Sequence, residues 1–212
     1  MILCFTFVIS ILFLLKILEV LPPGNSIKEQ PDQSRSRKEE ETGKPGFRRE
    51  YTDPKTAAEK YCKNVLLKKN IKGFGEKLLS NMADDLEIVQ GVFYFRKNQN
   101  SHYQAVATYA LADQVRIEKF QEGESLPGEA AKRENVTILR NLPDDYRRVE
   151  SGLGSDSPRF LYLVPVIHEK NCMALLEVST FKELSDNKVN ALSYFITLGG
   201  KKLSQFLEKT DV

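Results

Sequence analysis

Ser151-Gly152-Leu153-Gly154 is a glycine-bearing loop of the kind that can cradle a phosphate. That use requires a strand before the loop and a helix opening after it, because the helix N-terminus holds the anion. Here a charged turn, Pro143-Asp144-Asp145-Tyr146, comes before, and the apolar run Phe160–Val166 follows. No Gly-Lys-Ser/Thr occurs anywhere, so the order excludes a phosphate loop. The cysteines Cys4, Cys62 and Cys172 are scattered, which argues against a disulfide framework and a zinc site. Cys172 sits beside Met173 in an apolar run, where a thiolate is disfavoured. Cys62 lies near Lys60 and Lys63 with no histidine close in sequence. A reductase using either thiol is the enzymatic alternative, and nothing in the spacing favours it. His102 and His168 fall at hairpin ends and read as turn residues, not ligands. Asn135-Val136-Thr137 matches a glycosylation acceptor, a tripeptide that is frequent by chance. No catalytic residue or metal site is expected, and no cofactor is identified.

The elements that would position any site begin after a long N-terminal region. Residues Ile2–Leu15 are apolar apart from Thr6 and Ser10, and the run resumes around Lys16 and Glu19. About 20 residues cross a bilayer, so residues 1–22 are expected to be a membrane anchor, with a signal peptide as the rival. No basic side chain precedes the run, whereas Lys16 and Lys28 follow it. The positive-inside rule therefore puts the chain on the inner (cytoplasmic) membrane as a single-pass protein with its soluble domain in the cytoplasm. Residues 23–52 are charged and rich in Pro, Gly and Ser, a composition that predicts a flexible linker. Thirty-one basic against twenty-nine acidic residues leave +2, so no nucleic-acid partner is indicated.

From Thr52 the pattern becomes globular. Asp53 and Pro54 can start a connecting helix over 53–73, with Ala57, Ala58, Tyr61 and Val65 on one face. A second helix is expected over Glu76–Leu86. A strand follows through Phe95, then a returning strand in which Tyr103, Ala105, Ala107 and Tyr109 share one face. A short helix around Gly128–Arg133 and a short strand Val136–Leu139 come next. Phe160–Val166 and Cys172–Thr180 should form an antiparallel hairpin at the heart of the sheet. A last helix starts after Ser185, and on it Val189, Leu192, Ile196, Gly199, Leu203 and Phe206 form a heptad seam. This order predicts an α+β fold around an antiparallel sheet. A pocket is expected where loops flank the two core strands, near Tyr146, Arg159 and Glu177.

The segment from Leu142 to Leu203 resembles the C-terminal half of a GAF domain. The residues that carry this are Pro143–Tyr146, Ser151–Gly154, Leu161–Pro165, Glu177 with Phe181, and the helix from Lys188 onward. The variety it resembles most is found in membrane-anchored signalling proteins of Bacteroidetes-type bacteria. The stretch from Phe120 to Leu139 resembles the upstream part, so the likeness spans residues 74–208. It implies a central antiparallel sheet flanked by N- and C-terminal helices. The chain departs from the pattern at Ala174, where the family usually has glycine. It also lacks the Asn-Lys-Phe-Asp-Glu signature of cyclic-nucleotide binders, the chromophore cysteine and the paired reductase cysteines.

The resemblance implies a sensory or regulatory module that binds a small ligand. The ligand-binding set expected is Phe95, Tyr109, Glu124, Tyr146, Ser151, Gly152, Arg159, Leu161 and Glu177. No output module is seen on the chain, so signals would leave through a partner such as a histidine kinase. A homodimer through helices 53–70 and 185–208 is also expected. The rival is a ligand-free interaction scaffold with the same fold, its pocket filled by Phe95, Tyr109 and Leu161.

Overall fold

The computed structural model describes residues 52–112, 116–143, 149–151 and 154–210. The expected anchor and most of the linker lie outside these residues. Among the described residues no helix is long and apolar enough to cross a membrane.

Helix α1, Pro54–Tyr61, starts where the Asp53 carboxylate accepts the Thr56 N–H at 3.1 Å, with Pro54 in the first turn. It stops at Tyr61, and Asn64 takes a left-handed conformation (φ 61°) before a short 3-10 turn, Val65–Leu67. Helix α2, Ile71–Leu86, is capped by Asn70, whose side chain accepts the Gly73 N–H at 2.8 Å. The single helix expected over 53–73 is therefore two helices with a break. The expected domain start at 74 falls inside α2, and Gly73 and Gly75 are helical. Gly75 is there for closeness, since a Cβ at that position would meet the Phe93 ring and the Ala107 methyl. Asn81 ties the break together by donating to the carbonyls of Tyr61 and Lys63, both at 2.8 Å.

The sheet has five strands: β1 Gln90–Phe95, β2 Gln104–Tyr109, β3 Thr137–Arg140, β6 Phe160–His168 and β7 Asn171–Thr180. Their order is β2-β1-β7-β6-β3, and every neighbouring pair is antiparallel. β6 and β7 pair along their full length, with Phe160 opposite Thr180 and His168 opposite Asn171. Glu169 and Lys170 make the turn at φ 48° and 64°, the left-handed pair that a two-residue hairpin requires. The expected central hairpin is thus present. Helix α3, Ser125–Ala131, begins three residues earlier than expected, and β3 sits one residue later. A separate ribbon pairs β4, Val149–Ser151, with β5, Gly154–Asp156, on either side of Gly152 and Leu153.

One face of the sheet is backed by α1, α2 and the last helix, α4, Asp186–Thr210. Phe93, Phe95, Tyr162, Val164, Leu176 and Val178 point into that layer. Val92, Tyr94, Leu161, Leu163 and Leu175 point to the other face, toward α3 and Phe120. Two bulges interrupt the alternation. On β2 the register slips at Val106, so Tyr103 and Ala105 lie on the α3 face while Ala107 and Tyr109 turn to the helices. The four residues expected on one face are therefore divided between two. On β7 the slip at Met173 carries Cys172 to the α3 face and leaves Ala174 on the helix face.

The seam on α4 is inside the chain. Leu192, Phe195, Ile196, Leu203 and Phe206 are buried against α1, α2 and the sheet, with the tilted Phe206 and Phe74 rings 5.1 Å apart. Burying five such side chains contributes on the order of 10 kcal/mol. That far exceeds any gain from offering them to a second copy. A dimer built on these helices must use their outer faces.

Candidate functional site

On the α3 face three aromatic rings meet. Tyr103 stacks on Phe120 with centroids 5.0 Å apart, and Tyr94 meets the same ring edge-on at 5.1 Å. Phe120 is held there by a two-way backbone bridge to Tyr103, at 2.8 and 3.3 Å. This bridge fastens the segment 116–124 over the sheet. Between segment and sheet lies a cleft of about 260 Å³ walled by Tyr94, Phe120, Arg116, Glu118, Lys119 and Glu124, closed by Ser125 and Pro127. A wider groove of about 540 Å³ continues from it past Arg116 and Lys119 to Gln104 and Ala105 on β2.

The floor of this layer carries one buried carboxylate. Glu177, in the middle of β7, is 4% exposed and accepts a hydrogen bond from the Tyr94 hydroxyl at 3.1 Å. Burying a charge is tolerated only where polar partners surround it. Tyr94 is therefore both a wall of the cleft and a partner of the buried carboxylate.

The residues expected to bind ligand are not brought together. Leu161 and Glu177 face the α3 side, with Leu161 packed as core. Phe95 and Tyr109 face the helices on the opposite side of the sheet. Glu124 is on the cleft wall, where its carboxylate also accepts the Gln121 N–H at 2.9 Å. Arg159 is exposed at the start of β6, its backbone bonded to Thr180. Ser151 lies in β4, and Tyr146 and Gly152 fall outside the described residues. Sequence reasoning missed Tyr94, Phe120, Arg116 and Lys119. Tyr94 was readable from period two, being out of phase with Phe93 and Phe95. Phe120 carried no signal, because its place depends on a lone bridge to a distant strand.

The two described thiols are poor nucleophiles. Burial pushes Cys62 from its ordinary 9.0 up to about 12, with Lys202 pulling part of the way back. Burial also raises Cys172, against the hydrogen bond to Tyr103 and the charge of Arg96. The two lie on opposite faces of the sheet and cannot pair without disrupting it. Tyr61 is raised by burial and then by its hydrogen bond to Asp85, and Tyr103 by burial and then by Cys172. Among the described residues no cluster of His, Cys, Asp or Glu could hold a metal.

These raised groups predict a pH dependence. Each holds its proton more tightly in the folded chain than in the unfolded one. Below about pH 9 both states are protonated and the contribution to stability is complete. Above it the unfolded thiols and then the phenols ionise first, so stability falls as pH rises toward about 12. Urea midpoints should be lower at about pH 10.5 than at about pH 8. Equal midpoints would show that these groups are not held protonated by the fold.

No family model matches the chain, and neither does any curated protein. Solved structures do. The GAF domain of a phosphoenolpyruvate-protein phosphotransferase from Coxiella burnetii superposes with a TM-score of 0.59 at 13% identity, covering 76% of this chain and 98% of that one. The equivalent domain from Acinetobacter gives 0.58 at 15% identity, over 75% and 98%. A free methionine-R-sulfoxide reductase from Neisseria meningitidis, solved with its substrate, gives 0.53 at 11% identity, over 74% and 90%. Identities this low speak for architecture alone, and the architecture of residues 52–210 is that of a GAF domain.

Proposed function

We propose that this chain is a sensory or regulatory module that binds a small ligand in the cleft between the sheet and the segment 116–127. In this reading its N-terminal apolar segment tethers it to the cytoplasmic membrane, with the domain in the cytoplasm. It signals as a homodimer through the outer faces of α1 and α4, to a partner such as a histidine kinase. The observation that carries the reading is the cleft itself. Its wall is Tyr94, whose hydroxyl serves the buried Glu177, and its lining offers two cationic and two anionic groups in Arg116, Lys119, Glu118 and Glu124. That mixture suits a small polar molecule carrying both an acid and a cationic group. Some proteins of this fold are reductases, as the Neisseria structure shows for itself. The buried, protonated and separated thiols support a non-enzymatic role here.

The test is a thermal-shift screen of the full chain against amino acids, nucleotides and small anions. A ligand at a hundred times its dissociation constant adds about 2.7 kcal/mol, a rise of roughly 5–10 °C for a chain of this size. Arg116→Gln together with Lys119→Gln removes both cations from the cleft lining, and it should abolish most of that rise. A second reading, a ligand-free scaffold, is favoured by the stacked rings that already occupy the layer. A screen flat across all classes selects it.

A further inference from the structure

The stretch from Lys60 to Lys77 holds six lysines and one carboxylate, Glu76, in a chain whose net charge is only +2. The fold strings them along α2, from the last turn of α1 beside Asn81 and Asp85, through the 3-10 turn, to the first turns of α2. Lys60, Lys63, Lys68, Lys69 and Lys72 are exposed, and Glu76 is engaged by Lys72 at 3.8 Å. Lys202 of α4 comes close enough to act on the Cys62 thiol, where the Asp85 carboxylate also accepts from the neighbouring Tyr61 hydroxyl. Within this run stands Leu67, 77% exposed, beside the fully buried Val65. No other large hydrophobic side chain among the described residues is as open to water. The left-handed Asn64 and the 3-10 turn hold it there.

An apolar side chain left open to water and followed at once by the exposed Lys68 and Lys69 is poorly matched to water. It is well matched to an interface with anions on the outside and hydrocarbon beneath. We propose that this surface docks on an anionic lipid bilayer, with Leu67 entering the boundary between headgroups and acyl chains and Lys63, Lys68 and Lys69 meeting lipid phosphates. The lysine stems can lie along the apolar boundary with their heads at the phosphates. Single-stranded nucleic acid would be served by arginine and exposed aromatic rings. The segment has no arginine, and Tyr61 is buried. A protein partner would need a wider apolar centre than one leucine. The proposal stands apart from the cleft and from the N-terminal apolar segment.

The chain contains no tryptophan, so Leu67→Trp in the full chain creates a reporter without background. Vesicle sedimentation would mix in the apolar N-terminal segment, whereas the reporter's emission is local to the patch. Vesicles of phosphatidylcholine with about 30% phosphatidylglycerol should shift the emission to the blue and allow quenching by brominated acyl chains. Phosphatidylcholine alone should do neither, and salt near 0.5 M should reverse the shift. Each lysine at the headgroups is worth about a fivefold change in partitioning. Adding Lys63→Gln, Lys68→Gln and Lys69→Gln should therefore raise the lipid needed by roughly a hundredfold. An unshifted emission with anionic vesicles overturns the proposal. So does a shift that survives the three substitutions, or one produced by an oligonucleotide at lower concentration than by vesicles.

Discussion

Gly200→Ala should lower the melting temperature by roughly 6–12 °C, a loss of about 3 kcal/mol. Helix propensity alone predicts the opposite, since alanine is favoured over glycine by about 1 kcal/mol in a helix interior. The surroundings decide the sign. A Cβ at Gly200 would collide with the Ile167 carbonyl at the end of β6, an atom of backbone that cannot rotate away. Either α4 lifts from the sheet or the hairpin tip shifts, and both open the layer that holds Phe195 and Leu203. Its neighbour provides the control. A Cβ at Gly199 would meet the tip of the buried Phe195 ring, a side chain that can tilt about its Cα–Cβ bond where a backbone carbonyl cannot. Gly199→Ala should cost about 1–2 kcal/mol, less than Gly200→Ala. Thermal melts followed by far-ultraviolet circular dichroism separate the two. Equal losses would mean that α4 does not pack on the hairpin at this closeness.

Arg96→Ala should cost about 3 kcal/mol, while Glu122→Gln costs about 1 kcal/mol or less. Arg96 directly follows β1 and has a side chain only 5% exposed, paired with Glu122 at 2.8 Å. It donates to the Cys172 carbonyl at 2.8 Å, the Gln99 carbonyl at 3.2 Å and Asn171 Oδ1 at 2.9 Å. Its guanidinium lies 4.8 Å over the Tyr103 ring. One side chain thus joins both hairpin tips to the segment that carries Phe120 over the cleft. Removing it leaves the buried Cys172 carbonyl with only the Tyr103 hydroxyl and the part-buried Gln99 and Asn171 acceptors without their donor. Glu122 is 38% exposed and is rehydrated when its partner is altered, so the effects are unequal. Lysine keeps the charge without the planar fork, so Arg96→Lys should recover less than half of the loss. Urea titration measures all three. A loss in Glu122→Gln as large as that in Arg96→Ala would show that the ion pair, and not the carbonyl contacts, carries the stability.

Much of the sheet was legible because its strands have unmistakable texture. Phe160–Val166 and Cys172–Thr180 are too short for helices and too apolar for an edge, and the five residues between them leave room only for a tight reversal. Asp53 and Pro54 marked the start of α1 by cap chemistry that needs no distant partner. The break after Tyr61 was less visible. It rests on Asn64 entering a left-handed conformation and on Asn81, about twenty residues on, accepting the job of tying the ends together. The candidate site was read less well. Phe95 and Tyr109 carried the right chemistry on the wrong side of the sheet, the latter because a bulge at Val106 reversed the parity of the rest of β2.

Local pattern by itself determined the main helices and strands, the apolar face of most of them, and therefore the α+β architecture. Periodicity reports that a face is buried because burial acts on each side chain separately. What buries it is another matter, and only the tertiary structure decided that. The heptad seam on α4 has the same spacing whether it meets a second copy or its own sheet, and here it meets Phe74 and the sheet. The cleft likewise exists because Tyr103 and Phe120 bridge across a loop, bringing Tyr94, Arg116 and Lys119 together through contacts that no spacing encodes.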